Sequence, residues 1–346
     1  MKTILSVLGA RPQFIKAAPV SRALTESGSV REVCVHTGQH FDRDMSEVFF
    51  EELDIPPPTY NLGIHGGGHA EMTGRMMAEI EKIALSLKPD AILVYGDTNS
   101  TLAGGIVAAK LFVPLAHVEA GLRSFQPMPE EINRVLVDRV SRWLFCPTSA
   151  AVENLANEGI RDGVHMVGDV MYDTTVMMAA RARERSTILS RLKLTSGSYG
   201  LATIHRAENT DSADALKAVI SYLSDRAKVF PIVLPVHPRT LAAAKRFDVD
   251  LSPLRTIEPV GYLDMTALLE GCREVFTDSG GLQKEAYFHR KPCVTLRSAT
   301  EWVETVEAGW NRLWTEAAYV APRRDIAAYG SGRAAHEIVR VLAAEI

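Results

Sequence analysis

Residues 91–118 read AILVYGDTNSTLAGGIVAAKLFVPLAHV. Ala91–Tyr95 is a short, wholly apolar run, the pattern of a strand covered on both faces. Gly96-Asp97-Thr98-Asn99 is a turn. Residues 100–111 carry alanines and other buried-type side chains over a length that suits a crossover helix, and residues 114–118 are apolar again. Strand, helix and strand at this spacing form a parallel unit, because parallel neighbours need a long connection and a helix supplies it.

The same alternation runs outward in both directions. Strands are expected at 3–8, 31–36, 143–146 and 164–167, and again near 199–204, 231–236, 254–258, 274–277 and 293–296. The fold class is therefore α/β, with two parallel sheets. Val167-Gly168-Asp169-Val170 looks like the crossing between them, which predicts one domain over residues 1–169 and a second over 170–332. In the last segment, 333–346, Ala335, Ile338, Val339 and Leu342 share one helical face, so a terminal helix must dock somewhere.

Composition narrows the function. A chain of 346 residues, 47% hydrophobic, can bury a large core without metals or disulfides. Its 38 basic and 42 acidic side chains leave a formal charge of -4, which offers no drive for non-specific phosphate-backbone binding, so nucleic acid is not an expected partner. Cys34, Cys146, Cys272 and Cys293 lie far apart with no zinc-site spacing, and read as reduced thiols of a cytoplasmic enzyme without a metal. The apolar start is short and leads into Gly9-Ala10-Arg11-Pro12 with no cleavage site, so it is expected to be a first strand rather than a signal peptide. No stretch approaches the roughly 20 apolar residues of a membrane helix, and no membrane partner is expected.

Ligands of open α/β sheets sit beyond the carboxyl ends of the strands, where loop amides and helix N-termini converge. The unusual polar residues lie there: Arg11, Gln39-His40, Asp97 and Glu119 in the first half; His205-Arg206, His237, Asp278-Ser279-Gly280-Gly281 and Arg297 in the second. Asp97 could equally cap the helix after it. Glu119 follows an apolar strand, and a carboxylate there needs a partner or a job. Glu130 and Glu131 open a helix, where complementing its dipole would also explain them. His205 and His237 could be core histidines. In Asp278–Glu285, a hydroxyl and two glycines ahead of a helix would let backbone N–H groups reach a phosphate, and Glu285, a turn later, could accept both hydroxyls of a ribose. Neither G-x-G-x-x-G nor G-x-x-x-x-G-K-[ST] occurs, which disfavours a nicotinamide cofactor or an ATP-driven reaction. Gly66-Gly67-Gly68 is expected to be a mobile loop.

Taken in order, Gly9-Ala10-Arg11-Pro12, Thr37-Gly38-Gln39-His40, Gly96-Asp97-Thr98, His117-Val118-Glu119-Ala120-Gly121-Leu122-Arg123, Pro129-Glu130-Glu131-x-Asn133-Arg134, His205-Arg206-x-Glu208-Asn209, Pro235-Val236-His237-Pro238 and Asp278-Ser279-Gly280-Gly281 resemble the non-hydrolysing UDP-N-acetylglucosamine 2-epimerases over about residues 1–335. The resemblance implies a GT-B fold of two Rossmann-like domains with a sugar nucleotide in the cleft between them, a final helix that returns to the first domain, and a homodimer. It implies anti elimination of UDP across C1–C2 to a 2-acetamidoglucal and re-addition with the C2 proton on the opposite face, with no redox cofactor or metal. By motif, Asp97, Glu119 and Glu130 become the acid/base set. His205 and Arg11 hold the diphosphate, Ser279, Gly280 and Gly281 contact phosphate oxygens, and Glu285 holds the ribose. Gln39, His40, Arg75, Arg206 and His237 match positions near the cleft, where some members bind a second, activating sugar nucleotide.

Three departures bear on the substrate. Ala207 stands where the family carries a second arginine, Trp302 replaces the arginine of the usual Thr-Glu-Arg-Pro-Glu run after Glu301, and Asp42 stands where activated members have glutamine. Together with His65, His69 and Arg75, these resemble the branch acting on UDP-2,3-diacetamido-2,3-dideoxy-glucuronate, whose extra carboxylate would meet Arg75, Arg206, Arg297 or the loop histidines. Interconversion of UDP-GlcNAc and UDP-ManNAc is the first expectation and the diacetamido-glucuronate the second. A UDP-sugar glycosyltransferase and a non-catalytic sugar-nucleotide sensor are the readings from other classes.

Overall fold

The computed structural model describes residues 1–39, 55–125 and 127–346, and His40 and Asp42 lie outside them. The chain divides into two compact units, Met1–Val176 with Ala327–Ile346, and Met177–Ile326.

Among the described residues, the first unit holds a seven-stranded parallel sheet. Its strands are β1 (Lys2–Leu8), β2 (Val30–His36), β3 (Tyr60–Asn61), β4 (Ala91–Tyr95), β5 (Leu115–Val118), β6 (Trp143–Cys146) and β7 (Val164–Met166), in the order β3-β2-β1-β4-β5-β6-β7. The second unit holds β8 (Gly200–Thr203), β9 (Ile232–Pro235), β10 (Arg255–Ile257), β11 (Glu274–Thr277), β12 (Cys293–Thr295) and β13 (Asn311–Leu313), in the order β10-β9-β8-β11-β12-β13. β3 and β13 were not expected from sequence. They are two and three residues long and polar in part, so neither carries an apolar run to reveal it.

In each sheet the strand order reverses once, between β1 and β4 and between β8 and β11. Loops on either side of such a switch point splay apart and leave a crevice at the strands' carboxyl ends. Arg11 and Asp97 follow the two strands of the first switch point; His205 and Ser279 follow those of the second.

The crossover helix spans Asn99–Lys110 and packs low against the sheet. A Cβ on Gly104 would lie 2.9 Å from the Val94 Cγ1, so a larger residue would lift the helix off Val7 and Val94. Leu5, Val7, Ile92, Val94, Met76, Ile80 and Val107 are buried around this contact.

The terminal helix, Ala334–Glu345, buries the face of Ala335, Ile338, Val339 and Leu342 within the first unit. The Asp173 carboxylate accepts the N–H groups of Ala334 and Ala335 at 3.1 and 2.9 Å, serving as its cap from a distant part of the chain. At the other end the Trp143 indole donates to Glu345 at 2.7 Å. The division between units falls inside the helix Val170–Arg185, several residues beyond the expected 169/170, and the first unit resumes at Ala327 rather than 333. The cause is local bonding: Thr174 donates to the Ile15 carbonyl at 2.7 Å, and Asp169 N–H donates to the Tyr329 carbonyl at 3.2 Å.

Candidate active site

In the first unit the acids gather at the ends of β4 and β5. Glu119 has φ of +70°, a backbone region that side-chain-bearing residues seldom occupy and that persists only where the surroundings enforce it. Its N–H donates to the Phe145 carbonyl at 3.0 Å. The side chain turns toward Gly96: a Cβ there would lie 3.3 Å from Glu119 Oε2 and 3.1 Å from Lys16 Nζ. Lys16 and Glu119 are ion-paired, their side chains 12% and 9% exposed. Asp97 pairs with Arg134, and Asn133 donates to the Asp97 carbonyl at 2.8 Å, which fixes the helix Pro129–Val140 against this turn.

Glu130 and Glu131 separate cleanly. Glu131 accepts the Ser124 N–H at 2.9 Å and hydroxyl at 2.8 Å and pairs with Arg134 at 2.9 Å. Burial pushes its carboxyl up, but these donors outweigh burial and hold it below the usual range. It is therefore committed to shaping the 123–125 loop. Glu130 is half-buried and engages no hydrogen-bond or ion partner among the described residues. It stands four residues before Arg134, on the same helical face.

Arg11 is exposed at the first position of the helix Arg11–Ser27. Its loop is fixed by Gln13, whose Oε1 accepts the N–H groups of Gly9 and Ala10 at 2.8 and 3.0 Å while Nε2 donates to the Tyr95 carbonyl and Thr101, both at 3.0 Å. That one amide ties the end of β1 to the end of β4. Gln39 accepts from Ser100 N–H and Oγ at 3.2 and 2.9 Å, which places its oxygen at the start of the crossover helix. Arg75 donates to the His65 and Gly66 carbonyls at 3.1 and 2.7 Å, so the guanidinium braces the glycine loop that leads into the helix His69–Leu87.

In the second unit Asp278 organises the site. It is fully buried and accepts the N–H groups of His205 and Arg206 at 3.0 and 2.9 Å and the Asn209 amide at 3.0 Å. The His205 turn is thereby pinned beside Ser279. The His205 ring is half-exposed and lies 5.6 Å from the ring of His237, whose Nδ1 accepts the Arg239 N–H at the start of the helix Pro238–Phe247.

Ser279 caps the helix Gly280–Phe288. Its first N–H groups, on Gly280 and Gly281, have no partner within the helix, which is the arrangement that receives an anion. A Cβ on Gly280 would lie 2.3 Å from the Glu301 Oε1, so a larger residue would push the Glu301 carboxylate aside. Glu285 is buried and accepts the Tyr262 hydroxyl at 3.2 Å. Arg297 donates to Glu301 at 2.7 Å and lies 3.4 Å from Glu208, and Arg206 lies 3.9 Å from Glu301. Replacing Asp278 by Ala leaves several buried donors unsatisfied, a loss of about 3–5 kcal/mol. We expect the melting temperature to fall by roughly 10 °C, read by thermal melting.

Lys16, Gln13 and Arg134 carry roles that were not read from the sequence. Lys16 and Gln13 stand beside Phe14, Ile15, Ala17 and Ala18 on a mostly buried helix, and a polar residue set in such a face was the available signal.

The family model described as UDP-N-acetylglucosamine 2-epimerase matches residues 22–343. The chain belongs to this family. Its sequence is 53% identical over 315 residues to the UDP-2,3-diacetamido-2,3-dideoxy-D-glucuronate 2-epimerase of Pseudomonas aeruginosa, covering 90% of this chain and 87% of that one. It is 41% identical to the UDP-N-acetylglucosamine 2-epimerase of Methanocaldococcus jannaschii, with 97% of each covered. The crystal structure of the M. jannaschii UDP-GlcNAc 2-epimerase in complex with UDP-GlcNAc and UDP superimposes with a TM-score of 0.86 over 99% of both chains. That of the Neisseria meningitidis enzyme bound to UDP-GlcNAc does so with 0.85 at 28% identity. Like these UDP-N-acetylglucosamine 2-epimerases, the chain has the GT-B fold, its two parallel sheets being the two Rossmann-like domains.

Proposed function

We propose that this isomerase interconverts UDP-GlcNAc and UDP-ManNAc by eliminating and re-adding UDP. The observation that carries the reading is the pair Asp97 and Glu119 at the ends of adjacent strands, each beside a cation, with Glu130 on the neighbouring helix unengaged among the described residues. One carboxylate takes the C2 proton while the C1–O bond breaks and its electron pair leaves on UDP, giving the 2-acetamidoglucal. UDP oxygen then attacks C1, and an acid returns a proton to the other face of C2. Proton transfer of this kind needs positioned groups on both faces, which is what several carboxylates provide. His205 and Arg11 stabilise the diphosphate as it gains charge, the Ser279 turn receives its oxygens, and Glu285 receives the ribose. Four buried free thiols suit a cytoplasmic enzyme, and the homodimer implied by the family resemblance belongs to this reading.

A second substrate has its own support. The P. aeruginosa relative named for the diacetamido-glucuronate is 53% identical, and Arg206 and Arg297 both approach the Glu301 carboxylate, whose place a substrate carboxylate could take. Incubating the enzyme with each sugar nucleotide in D2O separates the cases. The true substrate gains deuterium at C2 and becomes a mixture of two epimers. Full retention of protium at C2 in every candidate overturns the elimination reading.

A further inference from the structure

His117 lies beneath the acids, completely buried on β5. Its Nδ1 is 2.7 Å from Asp138 Oδ1 and its Nε2 is 2.7 Å from the Gly96 carbonyl oxygen. A peptide carbonyl can only accept. Asp138 is an acceptor as well: its Oδ2 takes the Gly121 N–H at 3.1 Å and Arg123 Nη1 at 2.8 Å. Burial pushes its carboxyl up, yet the His117 and Arg123 donors outweigh burial and hold it below the ordinary carboxylate range. A neutral imidazole has one N–H and could serve one of these two partners. Arg123 is further paired with Glu158 at 2.6 and 3.0 Å, so with a charged ring the network holds two cations and two anions and is neutral overall.

We infer that His117 is a positioning residue: a buried imidazolium that donates from both nitrogens and locks the Asp97 and Glu119 turns in one arrangement. The bonding bears directly on both acids. Gly96, with φ of +62°, is bound on both sides to β5, its N–H to the Val118 carbonyl at 3.0 Å and its carbonyl to His117, and Asp97 hangs from the next peptide. Glu119 is bracketed by His117 two residues before it and Gly121 two residues after it, and both are bound to Asp138. Asp138 therefore governs the Glu119 turn directly and the Asp97 turn through the ring. Arrangements of this kind matter because a shift of an ångström in a proton-transferring group costs orders of magnitude in rate.

The inference rests on the proposed acid/base roles of Asp97 and Glu119, and its test has one arm that does not. Nitrogen-15 NMR of histidine-labelled wild-type protein at pH 8 reads the ring without any substrate. Both His117 nitrogens should show the shift of protonated nitrogen, with the signal assigned by its loss in His117→Gln. An unprotonated nitrogen overturns the inference. In the second arm, His117→Gln and Asp138→Asn should lower kcat by roughly 10–100-fold while the UDP dissociation constant stays within about twofold of wild type. Unchanged kcat in a folded variant overturns the positioning role, as does a loss confined to UDP affinity. If instead the wild-type enzyme fails to exchange the C2 proton, the functional proposal falls while the NMR result still decides the charge of the ring.

Discussion

Glu119→Gln should abolish isomerisation while leaving the protein folded and able to bind UDP. Glutamine keeps the length and planarity of the side chain, so the unusual φ of +70° and the N–H bond to Phe145 are retained. What it loses is the ability to exchange a proton, and removing a positioned acid or base costs about 10²–10⁴ in rate. We expect kcat to fall by about 10³-fold. The change also removes the counter-charge of Lys16, whose side chain is only 12% exposed, so a loss of about 1–3 kcal/mol in stability accompanies it. These effects are separable. Stability is read by thermal melting, UDP binding by calorimetry and chemistry by deuterium uptake at C2 under saturating substrate. Because His205, Ser279 and Glu285 of the proposed UDP contacts lie in the second unit, and the substitution leaves the fourth, Arg11, unchanged, affinity for UDP should stay within a few-fold of wild type. Turnover within tenfold of wild type in a folded Glu119→Gln protein removes this residue from the proton-transfer set. Asp97→Asn makes a companion test, since the amide can still accept from Arg134.

The sequence exposed the fold where apolar runs were long and continuous. β1, β4, β5 and β11 are buried along most or all of their length and read directly as strands. β3 and β13 were hidden because Tyr60-Asn61 and Asn311-Arg312-Leu313 are too short and too polar to stand out from loop, whereas the equally short edge strands β7 and β10 were marked by Val164 and Met166 and by Leu254 and Ile257. The same contrast holds in the site. Strand ends pointed to Asp97, Glu119 and Ser279 because a polar residue directly after a buried strand is conspicuous. What the sequence could not reveal were the partners, which come from distant segments: Lys16 lies 103 residues from Glu119, and Arg134 lies 37 from Asp97. Nor could it divide labour between Glu130 and Glu131, which differ only in which one faces Ser124. Asp278 shows the limit most clearly. It read as the opening of a phosphate turn, yet its oxygens hold the backbone of His205 and Arg206. In the proposed site its part is to place other groups.

Gly121→Ala should be a strongly damaging single methyl in the first unit, and Gly28→Ala supplies its control. Both glycines have positive φ, +78° and +60°, so alanine at either meets the steric cost of the left-handed region, about 1–2 kcal/mol. Their surroundings differ. A Cβ on Gly28 meets nothing within 4 Å, whereas one on Gly121 would lie 2.4 Å from the Ala151 carbonyl oxygen and 3.1 Å from Leu155. Ala151 belongs to the helix Ser149–Asn157, whose backbone cannot yield locally. Overpacking of this kind adds about 1–3 kcal/mol, giving roughly 3–4 kcal/mol in all. For a unit of this size each kcal/mol lowers the melting temperature by about 2–4 °C, so Gly121→Ala should lose about 10 °C and Gly28→Ala about 3 °C. The first variant should also lose activity beyond its loss of fold, because moving Gly121 strains its N–H bond to Asp138 and displaces Glu119 two residues away. Melting curves for the two proteins, with kcat measured well below both midpoints, decide it. Equal shifts in melting temperature would mean that the helix backbone does give way, and wild-type kcat in Gly121→Ala would mean that the Glu119 turn does not depend on this contact for its geometry.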